Sequence, residues 1–342
     1  MKILHFLVTD KLSGAENVML SILRSLKDGN EVYYVSPEGP VRKFVEEAGV
    51  NFIPADTDSI PEIKRIYKEV RPDIVHACDP RMSFKCALAG IPFIAHLHNN
   101  CPWLKKLSLN SIALLYAIKK AKAVVTVSDS IEKEYIFRNA LKKKLYMIPN
   151  VVDRERVETM AKEPFGGMYD IIFIGRMNEQ KRPLLFLELV SEVSKKVPGV
   201  TAAMVGEGEL LDEVREKLEK DGIKNVSLLG FQPNPYKIIN NSKINVFTSY
   251  YEGFGLVAVE SMILSKPVLG YAVGGLAGII TEDSGFLCRN NDEMAEKAVM
   301  LLSDKAMYER LSSGAKENSF RFTDTDGYTK KIKDLYDKVI AE

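Results

Sequence analysis

Short apolar runs alternate with helix-period stretches along almost all of this 342-residue chain, and that alternation leaves few folds open. In the first half the strand-like runs fall at 3–8, 31–35, 74–77, 93–97, 123–127 and 144–148, with helical stretches such as 15–25, 41–48 and 61–70 between them. The second half repeats the rhythm, with runs at 170–174, 201–205, 226–228, 244–248, 267–271 and 285–287 and helices at 183–197, 209–221 and 292–302. Strands that each give way to a helix before the next strand call for parallel sheets with helices on both faces. The polar, glycine-bearing segment IPNVVDRERVETMAKEPFGGMYD breaks the pattern and places a hinge near 150–168. The expected fold class is therefore α/β: two doubly wound, Rossmann-like domains facing a central cleft, each with enough chain for its own core. The final stretch, TDTDGYTKKIKDLYDKVIAE, has no strand after it. It reads as a capped amphipathic helix with Tyr328, Ile332, Leu335, Tyr336 and Ile340 on one side.

Lys and Arg total 47 against 46 Asp and Glu, a balance that argues against a dedicated nucleic-acid binder. The distribution is uneven: residues 1–160 carry 24 basic and 19 acidic side chains, and the remainder 23 and 27. Within 101–144, ten basic side chains outnumber three acidic ones and are mixed with Trp103, Leu104, Leu107, Leu109, Leu114, Leu115 and Tyr116. Such a stretch is either a solvated helix face or a surface that rests on anionic lipid. The four cysteines (Cys78, Cys86, Cys101 and Cys288) form no CxxC pair, which suggests neither a zinc site nor a disulfide framework. A reducing cytosol is the simplest setting. The apolar part of MKILHFLVTD is too short for a secretory core, and no run reaches the roughly 18 apolar residues of a membrane span. A cytoplasmic protein is expected, either soluble or peripheral on the inner membrane face.

In open α/β sheets, ligands bind beyond the carboxyl ends of the strands, where loops lead into helices. The run 170–174 enters GRMNEQKRP, so Arg176 and Lys181 leave the sheet on one short loop ahead of a helix that Pro183 can start. Two cations beside the amides of a helix N-terminus form a site for a diphosphate; a pair of solvated surface residues is the other reading. The run 244–248 enters YYEGFGLVAVESM, where Gly253 and Gly255 let backbone amides approach an anion and 257–264 continues as a helix. Glu252 precedes that turn and Glu260 lies within the helix, so helical phase alone does not set them side by side. VGG at 273–275 offers further close backbone approach, and VGEGE at 205–209 is glycine-rich without being a GxGxxG fingerprint. In the first half, 3–8 leads into LSGAE, with Gly14 just before a helix. The run 93–97 ends in HLHNN, where alternation puts His96 and His98 on one side with His98 at the exit. A histidine there is as readily structural as functional.

Taken in order, GRMNEQK, VGEGE, LLGF, NVFTSYYEGFGLVAVESM and VGGL resemble the C-terminal half of the retaining glycosyltransferases of family 4, which have the GT-B fold. The spacing of Glu252 and Glu260 repeats that family's E-x7-E signature. SGAE, HLH, VVTVSDS and IPNVVD resemble its N-terminal half, so the resemblance covers nearly the whole chain. It implies an N-terminal acceptor-binding domain of residues 1–155, completed by a returning helix at 322–342, and a nucleotide-sugar-binding domain of 156–321. It further implies that Arg176 and Lys181 hold the donor diphosphate, Glu260 the ribose hydroxyls and Glu252 the donor sugar. The backbone of Gly253, Phe254, Gly255 and Leu256 would lie against sugar and phosphate, and the turn at Phe231 against the base. From the other domain, Gly14 would approach the phosphates and His98 the sugar near the reacting carbon. His98, Glu252, Arg176 and Lys181 are thus the candidate catalytic residues. The chain departs from the pattern at Ser13, in place of the first glycine of a Gly-Gly pair, and at Val151, in place of a glycine. It departs again at Ser265, where a glycine often ends the helix, and at Gly278, where GGxxE would carry a glutamate.

The implied reaction moves a sugar from a nucleotide diphosphate, UDP by default, to a hydroxyl of a glycan or lipid-linked acceptor, as in assembly of bacterial cell-surface polysaccharide. Departure of the diphosphate builds negative charge, which Arg176, Lys181 and nearby amides can meet without a metal. Neither a cofactor nor a metal is expected. The Asp-x-Asp pairs at Asp56–Asp58 and Asp324–Asp326 both precede helical stretches, where Asp is a favoured cap. A glycoside hydrolase would use two glutamates but has no need of a diphosphate clamp. A nicotinamide-dependent dehydrogenase would want GxGxxG after the first strand, which LSGAEN does not supply. A non-catalytic, sugar-nucleotide-binding partner subunit on the same fold is the remaining alternative. The basic, apolar-interleaved stretch 101–144 lies in the acceptor domain and points to a lipid-linked glycan at a membrane face.

Overall fold

The computed structural model describes residues 1–342, which form two compact units: 1–150 with 325–342, and 151–324. The boundaries that the family resemblance implies, 155/156 and 321/322, lie within five residues of these. Seven strands build the sheet of the first unit: β1 (Lys2–Phe6), β2 (Glu31–Ser36), β3 (Asn51–Pro54), β4 (Ile74–Ala77), β5 (Ile94–Leu97), β6 (Ala123–Thr126) and β7 (Leu145–Met147). They lie in the order β3-β2-β1-β4-β5-β6-β7, every neighbouring pair parallel. The second unit has β8 (Tyr169–Ile174), β9 (Ala202–Val205), β10 (Val226–Leu228), β11 (Ser242–Phe247), β12 (Val268–Tyr271) and β13 (Gly285–Cys288). Their order is β10-β9-β8-β11-β12-β13, again all parallel. Both sheets are doubly wound, and the winding reverses between β1 and β4 and between β8 and β11. Those switch points are where loops diverge and open a crevice.

The central strands were readable because helices cover both faces and leave a near-continuous apolar run. β4, β5, β6, β9 and β12 are buried along their whole length. The strand not foreseen is β3, NFIP: it is an edge strand with only Phe52 and Ile53 half-buried, and a proline closes it after four residues. Side-chain caps set several helix starts: Ser59 accepts from the Glu62 amide, Asp79 from Met82 and Asn290 from Glu293. The last helix, Thr325–Ala341, packs on helix Gly14–Leu26 and buries Tyr328, Ile332, Leu335 and Tyr336. Ile340 does not join that face. It is 46% exposed in the final turn, beyond the surface that Tyr336 covers.

Candidate functional site

In the second unit the loops leaving β8 and β11 are tied together. Thr248 Oγ1 donates to the carbonyls of Lys181 and Arg182 at 2.8 and 3.0 Å, the Tyr250 amide to Gln180 O at 2.7 Å, and Gln180 Nε2 to Tyr251 O at 3.1 Å. These bonds bring Lys181 to Glu252, whose Oε1 accepts from Lys181 Nζ at 2.5 Å and from Ser249 Oγ at 2.7 Å. Glu252 is buried, and its Oε2 takes no hydrogen bond from the protein. An ammonium has three protons, so Lys181 keeps two beyond the one it gives Glu252. Arg176, on the same loop, is exposed and pairs with no acid. The loop thus presents one held and one free cation ahead of helix Pro183–Lys196, where Arg182 takes up a left-handed backbone (φ 51°) so that Pro183 can open the helix.

The glycines of these loops serve a purpose that the sequence did not disclose. A methyl group at Gly206 would lie 2.0 Å from the Gly175 carbonyl oxygen, and one at Gly208 2.3 Å from that of Met177. The backbones cross because Gly175 and Met177 amides donate to Val205 and Glu207 carbonyls, and the Gly206 amide to Gly230. In the same way, a methyl group at Gly274 would lie 1.6 Å from the Glu252 carbonyl oxygen, and one at Gly275 2.4 Å from that of Phe254. The close backbone approach expected at VGG is therefore made to the protein's own Glu252–Phe254 segment. Gly255 combines φ 106° with a turn that caps helix Leu256–Ile263, so its glycine is conformational. Ser265 keeps the left-handed conformation (φ 60°) that the usual glycine would supply, and Ser312 Oγ donates to its carbonyl.

Glu260 faces a different neighbour from Glu252. Its Oε1 accepts from Tyr236 OH at 3.2 Å, and burial raises its pKa to about 7 against the pull of that hydroxyl and of Arg156. Its Oε2 is likewise without a hydrogen bond from the protein. Each glutamate of the motif therefore has one oxygen held by the chain and one left over. Phe254 turns its ring inward against Phe322, centroids 5.6 Å apart, which leaves only its backbone for a ligand. Phe231 is 58% exposed on the loop after β10, an unpartnered aromatic face at a strand end. Sequence reasoning missed Ser249 and Tyr236, the groups that orient the two glutamates.

In the first unit, Gly14 is the exposed first residue of helix Gly14–Leu26, and Ser13 Oγ donates to the buried Glu16 carboxylate at that turn. His98 follows β5 and is buried; its ring stacks on His96 with centroids 3.9 Å apart. Its Nε2 lies 3.3 Å from Met19 Sδ, and its buried Nδ1 has no protein partner. Burial lowers its pKa to about 3, so the ring is neutral at physiological pH. Of the Asp-x-Asp pairs, Asp56 accepts from the Asp58 amide and Asp58 pairs with Lys85, while Ser59 rather than either Asp caps the helix that follows; Asp326 lies in the first turn of the last helix. No group of three or more His, Cys, Asp or Glu is arranged to hold a metal ion. No helix is long and apolar enough to cross a membrane.

These two units correspond to two glycosyltransferase domains. Residues 12–156 match the family described as Glycosyltransferase Family 4, and residues 156–318 match Glycosyl transferases group 1. Between them the two matches span nearly the whole chain, and its two-domain fold is that of the GT-B glycosyltransferases. An uncharacterized glycosyltransferase of Methanocaldococcus jannaschii is 30% identical over 61% of this chain and 57% of its own length. The UDP-Gal:alpha-D-GlcNAc-diphosphoundecaprenol alpha-1,3-galactosyltransferase of Escherichia coli is 23% identical over 98% of this chain and 96% of its own. The solved structure of Anabaena HepE in complex with UDP-glucose superposes with a TM-score of 0.86 at 20% identity, covering 99% of this chain and 100% of that one. The first three curated relatives are matched over 57%, 34% and 65% of their length.

Proposed function

We propose that the chain transfers a glycosyl group from a nucleotide diphosphate sugar, UDP by default, to a hydroxyl of a glycan or lipid-linked acceptor, with retention of configuration. The observation that carries this reading is the half-buried Lys181 held on the buried Glu252 carboxylate, beside the free Arg176. The two remaining protons of Lys181 and the Arg176 guanidinium meet the charge that grows on the departing diphosphate. The unused Oε2 of Glu252 accepts from a sugar hydroxyl and that of Glu260 from the ribose, while the exposed face of Phe231 lies against the base. Gly14 and His98 keep the roles toward phosphate and sugar that the family resemblance implies. A thermal-shift screen of UDP-, GDP- and CMP-sugars tests the reading, because a ligand at a hundred times its Kd stabilises by about 2.7 kcal/mol. If no sugar nucleotide shifts the melt at millimolar concentration, the donor site is wrongly assigned. Slow hydrolysis of the bound donor without acceptor separates this enzyme from a non-catalytic partner subunit.

For the acceptor, the surface of the first unit favours a lipid-linked glycan. Along helix Leu109–Lys120, the exposed Leu109, Ile112 and Tyr116 recur at helical spacing, with Leu107 just before them. Exposed Lys105 and Lys106 stand at one end and Lys119 and Lys120 at the other. An apolar stripe bracketed by lysines is the composition of a face that rests on anionic headgroups. Sedimentation with phosphatidylglycerol-containing vesicles, weakened by salt and by Leu109→Glu, is the expected result; equal recovery with neutral vesicles points to a soluble acceptor.

A further inference from the structure

All four histidines of the chain lie in one buried file. His5, His76 and His96 stand on the neighbouring strands β1, β4 and β5, and His98 on the loop that follows. His5 sits opposite His76, but His76 sits opposite Ile94, so the file climbs toward the carboxyl edge of the sheet through His96 to His98. The ring centroids are 4.8, 5.0 and 3.9 Å apart in that order, the last two pairs stacked. From the returning helix, the Tyr336 hydroxyl lies 2.9 Å from His5 Nε2 and 2.7 Å from His76 Nδ1, and His76 Nε2 lies 3.0 Å from His96 Nδ1.

Counting protons restricts this arrangement. A neutral imidazole has one N–H and one bare nitrogen, and a hydroxyl has one proton. With the buried Tyr336 proton paired within the file, the chain His5–Tyr336–His76–His96 has only two arrangements, with every hydrogen bond pointing one way or every one pointing the other. Its two ends, His5 Nδ1 and His96 Nε2, are buried without partners. At His98 the choice is already made: a thioether sulfur only accepts, so the contact with Met19 Sδ places the proton on Nε2 and leaves Nδ1 bare.

We propose that Tyr336, His76 and His96 are positioning residues for His98. Through Tyr336 the returning helix orders the file, and the stacked His96 ring holds the His98 imidazole with its bare Nδ1 presented as an acceptor. A bare nitrogen cannot donate to a phosphate oxygen, so the group it addresses is a hydroxyl, of the donor sugar or of the acceptor. This rests on the reading of His98 as a sugar-contacting residue.

Selective 15N-histidine labelling tests it, because only the four rings of the file carry the label. At pH 7.5 the native protein is expected to show His98 as a single Nε2–H tautomer. In Tyr336→Phe the His76 and His96 nitrogens are expected to move toward averaged, mixed-tautomer values, and the His98 nitrogens to shift as its ring loses the fixed stack on His96 that aligns Nε2 with Met19 Sδ. His98 nitrogens that stay unchanged while those of His76 move would overturn the relay. If that variant does not fold, His96→Phe makes the same test, since it keeps a flat ring against His98 and cuts the link to His76; unchanged His98 nitrogens there also overturn the proposal. His98→Phe, assayed for UDP release from UDP-glucose, addresses the underlying reading separately. Release at the native rate removes His98 from the reaction whatever the nitrogens show. Lost release together with unmoved nitrogens in Tyr336→Phe sinks the relay alone.

Discussion

Mild acid should act on the two units with opposite sign. All four histidines belong to the first unit and are held neutral by burial, His5 and His98 at a pKa of about 3 and His76 and His96 well below the usual 6.5. As pH falls through 6.5 the unfolded chain takes up a proton at each, and the folded unit takes up none. The stability that depends on these neutral rings is therefore complete above 6.5 and lost below it. At 1.36 kcal/mol for each pH unit below 6.5, moving from pH 7.5 to 5.5 withdraws a little over about 1 kcal/mol for each ring, or about 5 kcal/mol for the four. Set against the 5–15 kcal/mol typical of a folded protein, that is a large loss. Asp79 trims it, since burial raises its carboxyl and works in the opposite direction. In the second unit, Glu260 has its pKa raised to about 7, so the folded state holds a proton that the unfolded state releases. That unit is expected to gain about 2 kcal/mol over the same interval. The lone tryptophan, Trp103, packs against the first unit's core, so its fluorescence reports that unit while far-UV circular dichroism reports both. Urea melts at pH 7.5 and 5.5 are expected to show the Trp103 transition moving to lower denaturant and the remaining dichroic transition holding or rising. A Trp103 transition whose free energy changes by less than about 1 kcal/mol would refute the reasoning, because the rings would then be hydrated or charged in the folded state.

Arg176→Ala removes an exposed, unpaired cation; turnover should fall about a hundred- to thousandfold with the melting temperature unchanged, as initial rates and a thermal melt will show. Lys181→Ala should lose as much activity and also destabilise by up to about 3 kcal/mol, because it strips the buried Glu252 of its cation. Gly274→Ala drives a methyl group into the Glu252 carbonyl and should cost more than about 3 kcal/mol or prevent folding. Gly278→Ala meets nothing within 4 Å and should melt within about 0.5 kcal/mol of the native protein. Activity is expected to survive excess EDTA, measured as UDP release; its complete loss would return the Asp-x-Asp pairs to consideration.

The parallel α/β architecture was legible because strands buried on both faces leave apolar runs that nothing else explains, and β3 was lost because an edge strand with two half-buried residues leaves none. At the candidate site, the residues that the sequence singles out are those whose own charge draws attention: Arg176, Lys181, Glu252, Glu260. Their partners were not, since Ser249 and Tyr236 carry no signal beyond their composition until the fold brings them to a carboxylate. The histidines lie between these cases. His5 and His76 each interrupt an apolar strand, which marks a buried polar group that needs a partner. Only the strand order, β1 beside β4 beside β5, shows that the partners are one another and Tyr336. The glycines carry the sharpest ambiguity. A strand-end glycine admits a ligand or admits another stretch of chain, and both demands look alike in sequence. Distance separates them: at Gly206, Gly208, Gly274 and Gly275 the space a side chain would need is already filled by a carbonyl of a neighbouring loop. Those glycines therefore set the height of the Arg176 and Glu252 loops above the sheet. A substitution there displaces Arg176 and Glu252 without touching either.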